Sequence, residues 1–422
     1  MQEAPRPHEQ GTCTAHAQAA VGNRPWPHRV SAPRPLLALR LYKGFTFPLP
    51  RSYAASLDSW LRHGPKGSEQ EGIASVNEIM TIGLGLLGGL AIFLYGMGLM
   101  SGSLQEAAGE RMRSILATVT KNPVLGVLAG AFATAVLQSS SATTVMVIGF
   151  VSAGLMRLPQ AIPIVMGANI GTTITAQIIA FKLSDYILLF VALGFLVMTV
   201  AKQERVKLAG KAVFGFGLLF VGIETMGSVM KPLASNPVFT DMIAQVAGVP
   251  VLGVVVGTVM TLIVQSSSAT IAVLQNFAAQ PGPDGASILG LEGAIPILLG
   301  DNLGTTVTAL LASIGQSRDA KRVALAHCIF NLSGCLLFVG LTGPFASLVA
   351  VLPPSGAGVE VIARQIANAH TCFNVVMTLI WLPLVPLMVK LVLLILPERP
   401  GRPRDFAGVG SPLSANGPLP AS

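Results

Sequence analysis

The sequence predicts an all-α polytopic membrane protein made of two repeats, each carrying a broken or re-entrant helical hairpin. Three observations carry that prediction. The 422-residue chain is 52% hydrophobic and only 11% charged, against roughly 25% charged in a soluble protein, and its mean hydropathy is +0.66. Its apolar segments run in series from Met80 to Leu396. A polar run set inside them, Gln138-Ser139-Ser140-Ser141-Ala142-Thr143, recurs as Gln265-Ser266-Ser267-Ser268-Ala269-Thr270. Gly126 and Gly130 stand 12 and 8 residues before the first Gln, and Gly253 and Gly257 stand at the same distances before the second. Chance does not keep such a register.

Charge and cysteine narrow the function classes. The formal charge of +8 comes from basic residues in terminal and loop segments, and Arg157 is the only ionisable residue between Asn122 and Phe181. That distribution excludes a nucleic-acid footprint. Cys328, Cys335 and Cys372 lie in apolar segments without C-x-x-C spacing, so neither a disulfide framework nor a zinc site is expected.

Residues 1–78 are rich in Pro, Arg, His and Gly and show no sustained hydrophobic period or secretory h-region. They are expected to be a disordered basic extension on the cytoplasmic face; translation starting downstream, as at Met80, is the other reading. The first repeat is placed at 79–213. Met80 to Leu104 is long enough to span a ~30 Å hydrocarbon core, and Gln105 to Asn122 suits an amphipathic helix along the interface. Val124 to Leu137 is too short to span comfortably and runs into the serine motif before Val145 to Met156. Two short helices meeting at a polar break describe the hairpin. Ala161 to Phe181 follows with Gly167-Ala168-Asn169-Ile170-Gly171-Thr172-Thr173 at its middle, then a span from Tyr186 to Ala201 and a basic loop at Lys202, Arg205, Lys207 and Lys211.

The second repeat, with the closing helices, is placed at 214–396. Gly215 to Met226 echoes Gly89 to Met100, Asn236 to Gly248 takes the place of the amphipathic segment, and Gly300-Asp301-Asn302-Leu303-Gly304-Thr305-Thr306 follows the second serine motif. The spacing from Gln to the central Asn is 31 residues in the first copy and 37 in the second, a difference matching the Pro/Gly turn at Gln280 to Gly285. Ala326-His327-Cys328-Ile329-Phe330-Asn331 and Ala369-His370-Thr371-Cys372-Phe373-Asn374 share a pattern in which each His faces an Asn at i+4, a simple hydrogen-bond partner that favours a packing role over proton shuttling. The run through Pro383 and Pro386 to Leu396 completes the last helix, and 397–422 reads as a disordered tail. Basic segments at Lys202 to Lys211, Arg318 to Arg322 and Arg399 to Arg404 are expected on the cytoplasmic side.

With both QSSSAT motifs, both G-x-N-x-G-T-T motifs and the ALAHCIFNLSG segment in view, residues 80 to 396 resemble the sodium-phosphate cotransporter type II family in its short microbial form. The resemblance implies two inverted-topology repeats and sodium-driven movement of inorganic phosphate across the cell membrane. It also implies that the hairpins meet at the substrate and sodium sites, carried over to Gln138 to Ser141 with Thr143 and to Gln265 to Ser268 with Thr270.

The residues themselves suit those roles. Phosphate is costly at mid-membrane without a fixed cation, and the motif segments contain no Arg or Lys. Ser139, Ser140, Ser141, Ser266, Ser267 and Ser268 would begin half-helices whose N–H and O–H groups donate to the anion. Gln138, Thr143, Gln265 and Thr270 offer oxygen ligands for sodium. Asn169 and Asn302, between glycines that permit unwinding, either support the tips or add a ligand, or else serve as interhelical glue; Asp301, opposite Ala168, is either a cation ligand or a structural carboxyl. No prosthetic cofactor is expected, with sodium as co-substrate and phosphate and lipid as partners. An enzyme reading fails for want of a G-x-S-x-G elbow. A transporter of sulfate or a carboxylate, and a phosphate exporter, remain as alternatives, while a channel fits broken-helix repeats less well. A scaffold would tolerate loss of the serines.

Overall fold

A computed structural model describes residues 76–118, 122–181, 183–234, 237–282, 284–355 and 358–398. The expected terminal extensions lie, for 1–75 and 399–422, outside the described residues, as does Arg399 to Arg404. The described residues form helices α1 (Val76–Thr118), α2 (Pro123–Leu137), α3 (Ser140–Ser152) and α4 (Leu158–Ile179), a 3-10 turn (Ser184–Tyr186), then α5 (Ile187–Val200), α6 (Glu204–Ala234) and α7 (Pro237–Ala247). They continue as α8 (Pro250–Val264), α9 (Ser267–Ala278), α10 (Gly290–Ala312), α11 (Arg318–Val339), α12 (Thr342–Ala350), α13 (Ile362–Trp381) and α14 (Val385–Ile395).

Five of the described helices are long and apolar enough to cross a membrane, or six if the bent pair α13 and α14 is one span. Their outer faces carry exposed apolar side chains such as Leu84 (64%), Leu87 (67%) and Leu336 (67%). Such surface is a liability in water and a requirement in hydrocarbon. The protein is a multi-pass membrane protein.

Four expectations are corrected by the fold. The amphipathic stretch from Gln105 is not a separate interface helix but the end of α1, whose 43 residues reach about 64 Å at ~1.5 Å per residue. No proline interrupts the junction, and Gln105 Nε2 donates to Ser101 Oγ across it at 2.8 Å. In the second half Pro237 does interrupt, and there the amphipathic segment is the distinct helix α7. The basic loop is largely helical: Arg205, Lys207 and Lys211 lie in the first turns of α6, ahead of the expected repeat boundary at 213/214. The last helix is not straight, since α13 and α14 meet at 84° around Pro383.

The fourth correction concerns the G-x-N-x-G-T-T motifs, which do not unwind. α4 and α10 run unbroken through them, and their glycines serve close approach instead. A Cβ on Gly167 would lie 2.0 Å from the carbonyl oxygen of Val127, and one on Gly300 would lie 2.1 Å from that of Val254. The reciprocal glycines of the hairpins are as tight, at 2.0 Å for Gly130 against Ile164 O and 1.9 Å for Gly257 against Ile297 O. Small residues let the backbones touch, which is how helices associate where no hydrophobic force separates protein from solvent. Gly257→Val should therefore push α8 off α10 and cost upwards of ~3 kcal/mol, seen as loss of monodisperse protein after detergent extraction. Gly149→Ala, where an added Cβ meets nothing within 4 Å, is the matched control and should behave as the parent.

The same contacts give helix directions. Gly126 meets Pro163 and Gly171 meets Thr134, so α2 runs parallel to α4, and Gly253 with Pro296 and Gly304 with Thr261 make α8 parallel to α10. In contrast, Gly85 meets Val229 and Gly215 meets Met100. α1 and its sequence counterpart α6 therefore run antiparallel. α5 returns the chain antiparallel to α6, with Val191 beside Gly217 and Met198 beside Gly210. Followed from helix to helix, α2 and α8 enter from opposite faces of the molecule.

Candidate functional site

Each serine motif breaks a helix in the same way. Gln138 (φ 52°) and Gln265 (φ 56°) are the only non-glycine residues with positive φ among the described residues, and each ends the inbound helix in the left-handed conformation. The following serine is extended and caps the outbound helix: Ser139 Oγ accepts from Ala142 N at 3.1 Å and Ser266 Oγ from Ala269 N at 3.3 Å. Capping secures a helix start, so these two oxygens already have a structural task. Ser140 and Ser141, with Ser267 and Ser268, occupy the first helical positions of α3 and α9, where backbone N–H groups have no intrahelical partner. The hydroxyls of these four serines take no hydrogen-bond partner among the described residues, whereas the neighbouring threonines do.

Thr143 and Thr270 face inward and are fully buried. Thr143 Oγ1 lies 2.9 Å from Thr134 Oγ1, and Thr270 Oγ1 lies 3.1 Å from Thr261 Oγ1. In the second copy the pair reaches a carboxyl, with Thr261 Oγ1 2.6 Å from Asp301 Oδ1. Asp301 is fully buried and its Oδ2 has no partner among the described residues. Ala168 stands in its place in the first copy. Thr270 also approaches Ser266 O at 3.3 Å, so three side-chain oxygens and a carbonyl oxygen gather at this bend.

The glutamines differ between copies. Gln138 is buried, with its Nε2 donating to Ala135 O at 2.5 Å and its Oε1 accepting from Thr175 at 3.0 Å. Gln265 is exposed and ties only its Nε2, to Leu262 O at 2.5 Å. Asn169 and Asn302 are held by histidines of the neighbouring helices. Their Oδ1 atoms meet His327 Nε2 at 3.1 Å and His370 Nε2 at 3.2 Å, stitching α4 to α11 and α10 to α13. That corrects the expected partner of each histidine: the i+4 asparagines, Asn331 and Asn374, donate to the histidine backbone carbonyls at 3.0 Å and leave the rings to the other helices. An i+4 side chain sits over the backbone turn, and the ring, projecting outward, finds a group on the packed neighbour.

One turn of α1 touches both bends. Ser101 Oγ donates to Leu137 O at 3.1 Å, next to Gln138, and Ser266 Oγ reaches Met97 Sδ at 3.9 Å. Met97 and Ser101 are separated by one helical turn, roughly 6 Å along the axis. The two bends are thus neighbours at mid-length of α1, and the hairpin helices around them contain no charged residue. Sequence reasoning missed Thr134, Thr261, Thr175, Met97 and Ser101. Thr134 and Thr261 both stand four residues before a motif Gln, so the register that singled out the glycines also marked them.

The comparisons with known proteins agree with this duplicated geometry. The profile of the Na+/Pi-cotransporter family matches residues 92–228 and again 225–352. The chain belongs to the Na+/Pi-cotransporter family. It is 32% identical over 310 residues to "Uncharacterized protein YqeW" of Bacillus subtilis, covering 74% of this chain and 97% of that one. It is 28% identical over 319 residues to "Putative inorganic phosphate export protein YjbB" of Salmonella typhimurium, covering 75% of this chain and 56% of that one. It is also 24% identical over 389 residues to "Sodium-dependent phosphate transport protein 2A" of Rattus norvegicus, covering 61% and 60%. The chain thus spans little more than half the length of the latter two. No solved structure matches it. Na+/Pi cotransporters are transporters and not enzymes, and the two profile matches fall on the two halves that carry the two bends.

Proposed function

We propose that this protein is a secondary active transporter of the cell membrane that couples sodium movement to inorganic phosphate by alternating access. The observation that carries the reading is the meeting of two serine-started half-helices at one turn of α1. Phosphate is an anion of one to two charges, and no lysine or arginine lies on the hairpin helices. Ser140, Ser141, Ser267 and Ser268 supply hydroxyl donors, and the α3 and α9 N-termini add free N–H groups and about half a positive charge each. Ser139 and Ser266 hold those termini in shape. The remaining charge comes from sodium.

The sodium ligands are proposed at Asp301, Thr270, Thr261 and Ser266 O in the second half, with Gln265 beside them, and at Thr143, Thr134, Ser139 O and Gln138 in the first. All are hard oxygens suited to the ion. Asn169 and Asn302 position α11 and α13 through the histidines and are set outside the ligand set. Coupling follows physically: each ion raises the affinity of the other because anion and cation neutralise one another in a site of low dielectric. Antiparallel packing of α1 and α6, with hairpins entering from opposite faces, supports inverted repeats and hence alternating access. A second reading, phosphate export, draws on the name of the Salmonella relative.

Purified protein in liposomes should take up labelled phosphate when an inward sodium gradient is imposed and poorly when potassium or lithium replaces sodium, with sulfate competing weakly. Uptake indifferent to the cation would remove the coupling. Sodium-dependent loss from preloaded vesicles without uptake would select export.

A further inference from the structure

A cavity of about 370 Å³ opens between the end of α4, the second half of α6, the second half of α9 and the start of α13. Its walls include Glu224, Lys231 and Glu360 together with Gln275, Asn276 and Gln280. Such a set is expensive against lipid, where each ionised side chain costs several kcal/mol, so the cavity faces water. It lies along α9, the outbound helix whose first turn holds Ser267 and Ser268.

The repeat supplies its own control. Matching the two motif glutamines, the two histidines and the Gly89 and Gly215 segments assigns counterparts to the α9, α13 and α6 walls: the end of α3, the start of α11 and the second half of α1. There the molecule is shut. Ser317 N donates to Ser152 Oγ at 3.2 Å at the exposed rim, and one turn further in Ile148, Val151 and Ala320 are 2%, 5% and 0% exposed. Ala363, the counterpart of Ala320, is only half-buried and lines the cavity. Glu224, Lys231 and Glu360 correspond to Gly98, Gln105 and Ser317, so the matching positions on the closed side are uncharged. At that closed end Arg322, 1% exposed, ties α11 to the end of α14 through Leu396 O at 3.0 Å.

We infer that the cavity walled by α4, α6, α9 and α13 is the ion entrance on one side of the membrane, and that the Ser152–Ser317 contact with Ile148, Val151 and Ala320 is the shut gate on the other. The inference rests on the transporter reading. Its occupants are small hydrated ions. Exchange of the two arrangements between repeats opens the second entrance along α3, bringing Ser140 and Ser141 to water from the opposite face. The basic segments Lys202 to Lys211 and Arg318 to Arg322 flank the shut gate, because α6 starts, and α4 and α11 begin, at that end. The open entrance is therefore the extracytoplasmic one, and α1, antiparallel to α6, starts at that same end, against the cytoplasmic face expected for 1–78.

The test uses the full chain with its cysteines replaced, in liposomes, carrying single cysteines in two positions. Ser228→Cys lines the cavity, and Ile148→Cys sits behind the gate contact. A charged methanethiosulfonate, applied without an ion gradient, transfers its thioalkyl group to the accessible thiolate with release of sulfinate. Ser228→Cys is expected to react at least tenfold faster than Ile148→Cys. Equal rates, or faster reaction at Ile148→Cys, overturn the assignment. A pair, Ser152→Cys with Ser317→Cys, is then oxidised to a disulfide: phosphate uptake should be lost and return with dithiothreitol. Uptake persisting in the crosslinked protein overturns the gate. If the cysteine-free parent takes up no phosphate in any gradient, the transport reading fails on its own, and the labelling ratio still decides which side is open.

Discussion

Ser140→Ala and Ser267→Ala should each cut sodium-driven phosphate uptake by about tenfold to a hundredfold while leaving membrane insertion unchanged. A hydrogen bond to a charged group contributes ~1.5–3 kcal/mol, and each factor of ten corresponds to ~1.4 kcal/mol. Neither hydroxyl holds the fold, since neither has a partner among the described residues, so its removal leaves no protein group unsatisfied. The neighbouring caps set the contrast. Ser139→Ala and Ser266→Ala each remove an acceptor from a helix start, which costs ~1 kcal/mol of stability and should show first as a lower melting temperature. Uptake kinetics at fixed sodium, paired with thermal unfolding of the same samples, separate the two classes. Parental uptake by both Ser140→Ala and Ser267→Ala would take the phosphate away from these hydroxyls and favour a scaffold role for the bends.

Asp301→Asn should raise the sodium concentration needed for half-maximal uptake by about a hundredfold or more, or abolish sodium dependence. Removing one partner of a buried charge pair costs ~3–5 kcal/mol, and Asp301 places its buried carboxyl against the second bend, 2.6 Å from Thr261 Oγ1. The asparagine is nearly isosteric and keeps an oxygen for Thr261, so folding should survive. The first half makes the comparison internal, because Ala168 already lacks the carboxyl there. Thr261→Val, which removes one neutral oxygen, should cause a smaller shift in the same direction. Sodium titrations of phosphate uptake read both variants. An unshifted titration for Asp301→Asn would mark the carboxyl as structural.

The helical breaks were legible in the residues. Five polar side chains in six positions between apolar runs cannot continue a lipid-facing helix unnoticed, and the left-handed Gln138 and Gln265 sit at the expected points. The longer loop of the second copy was legible as well: 279–289 joins α9 to α10, where 153–157 joins α3 to α4. Misreading came where one residue type serves two physical ends. Glycine in G-x-N-x-G-T-T permits unwinding and equally permits contact between backbones, and composition does not distinguish them. The approach of Val127 and Val254 carbonyls decides for contact. The histidines followed the same logic, since a partner at i+4 is visible in the chain and a partner on another helix is not.

By itself the sequence determined the class of molecule, the duplication, and the place of each bend, because hydrophobic length, charge depletion and a repeated polar register are properties of consecutive residues. Only the tertiary structure decided that one turn of α1 gathers both bends, that Thr261 links Thr270 to Asp301, and that Asn169 and Asn302 belong to the histidines. Apart from Thr261–Thr270, nine positions apart, those contacts join residues tens to more than a hundred positions apart. They exist because packed helices choose partners by shape and direction, and neither is written in local sequence.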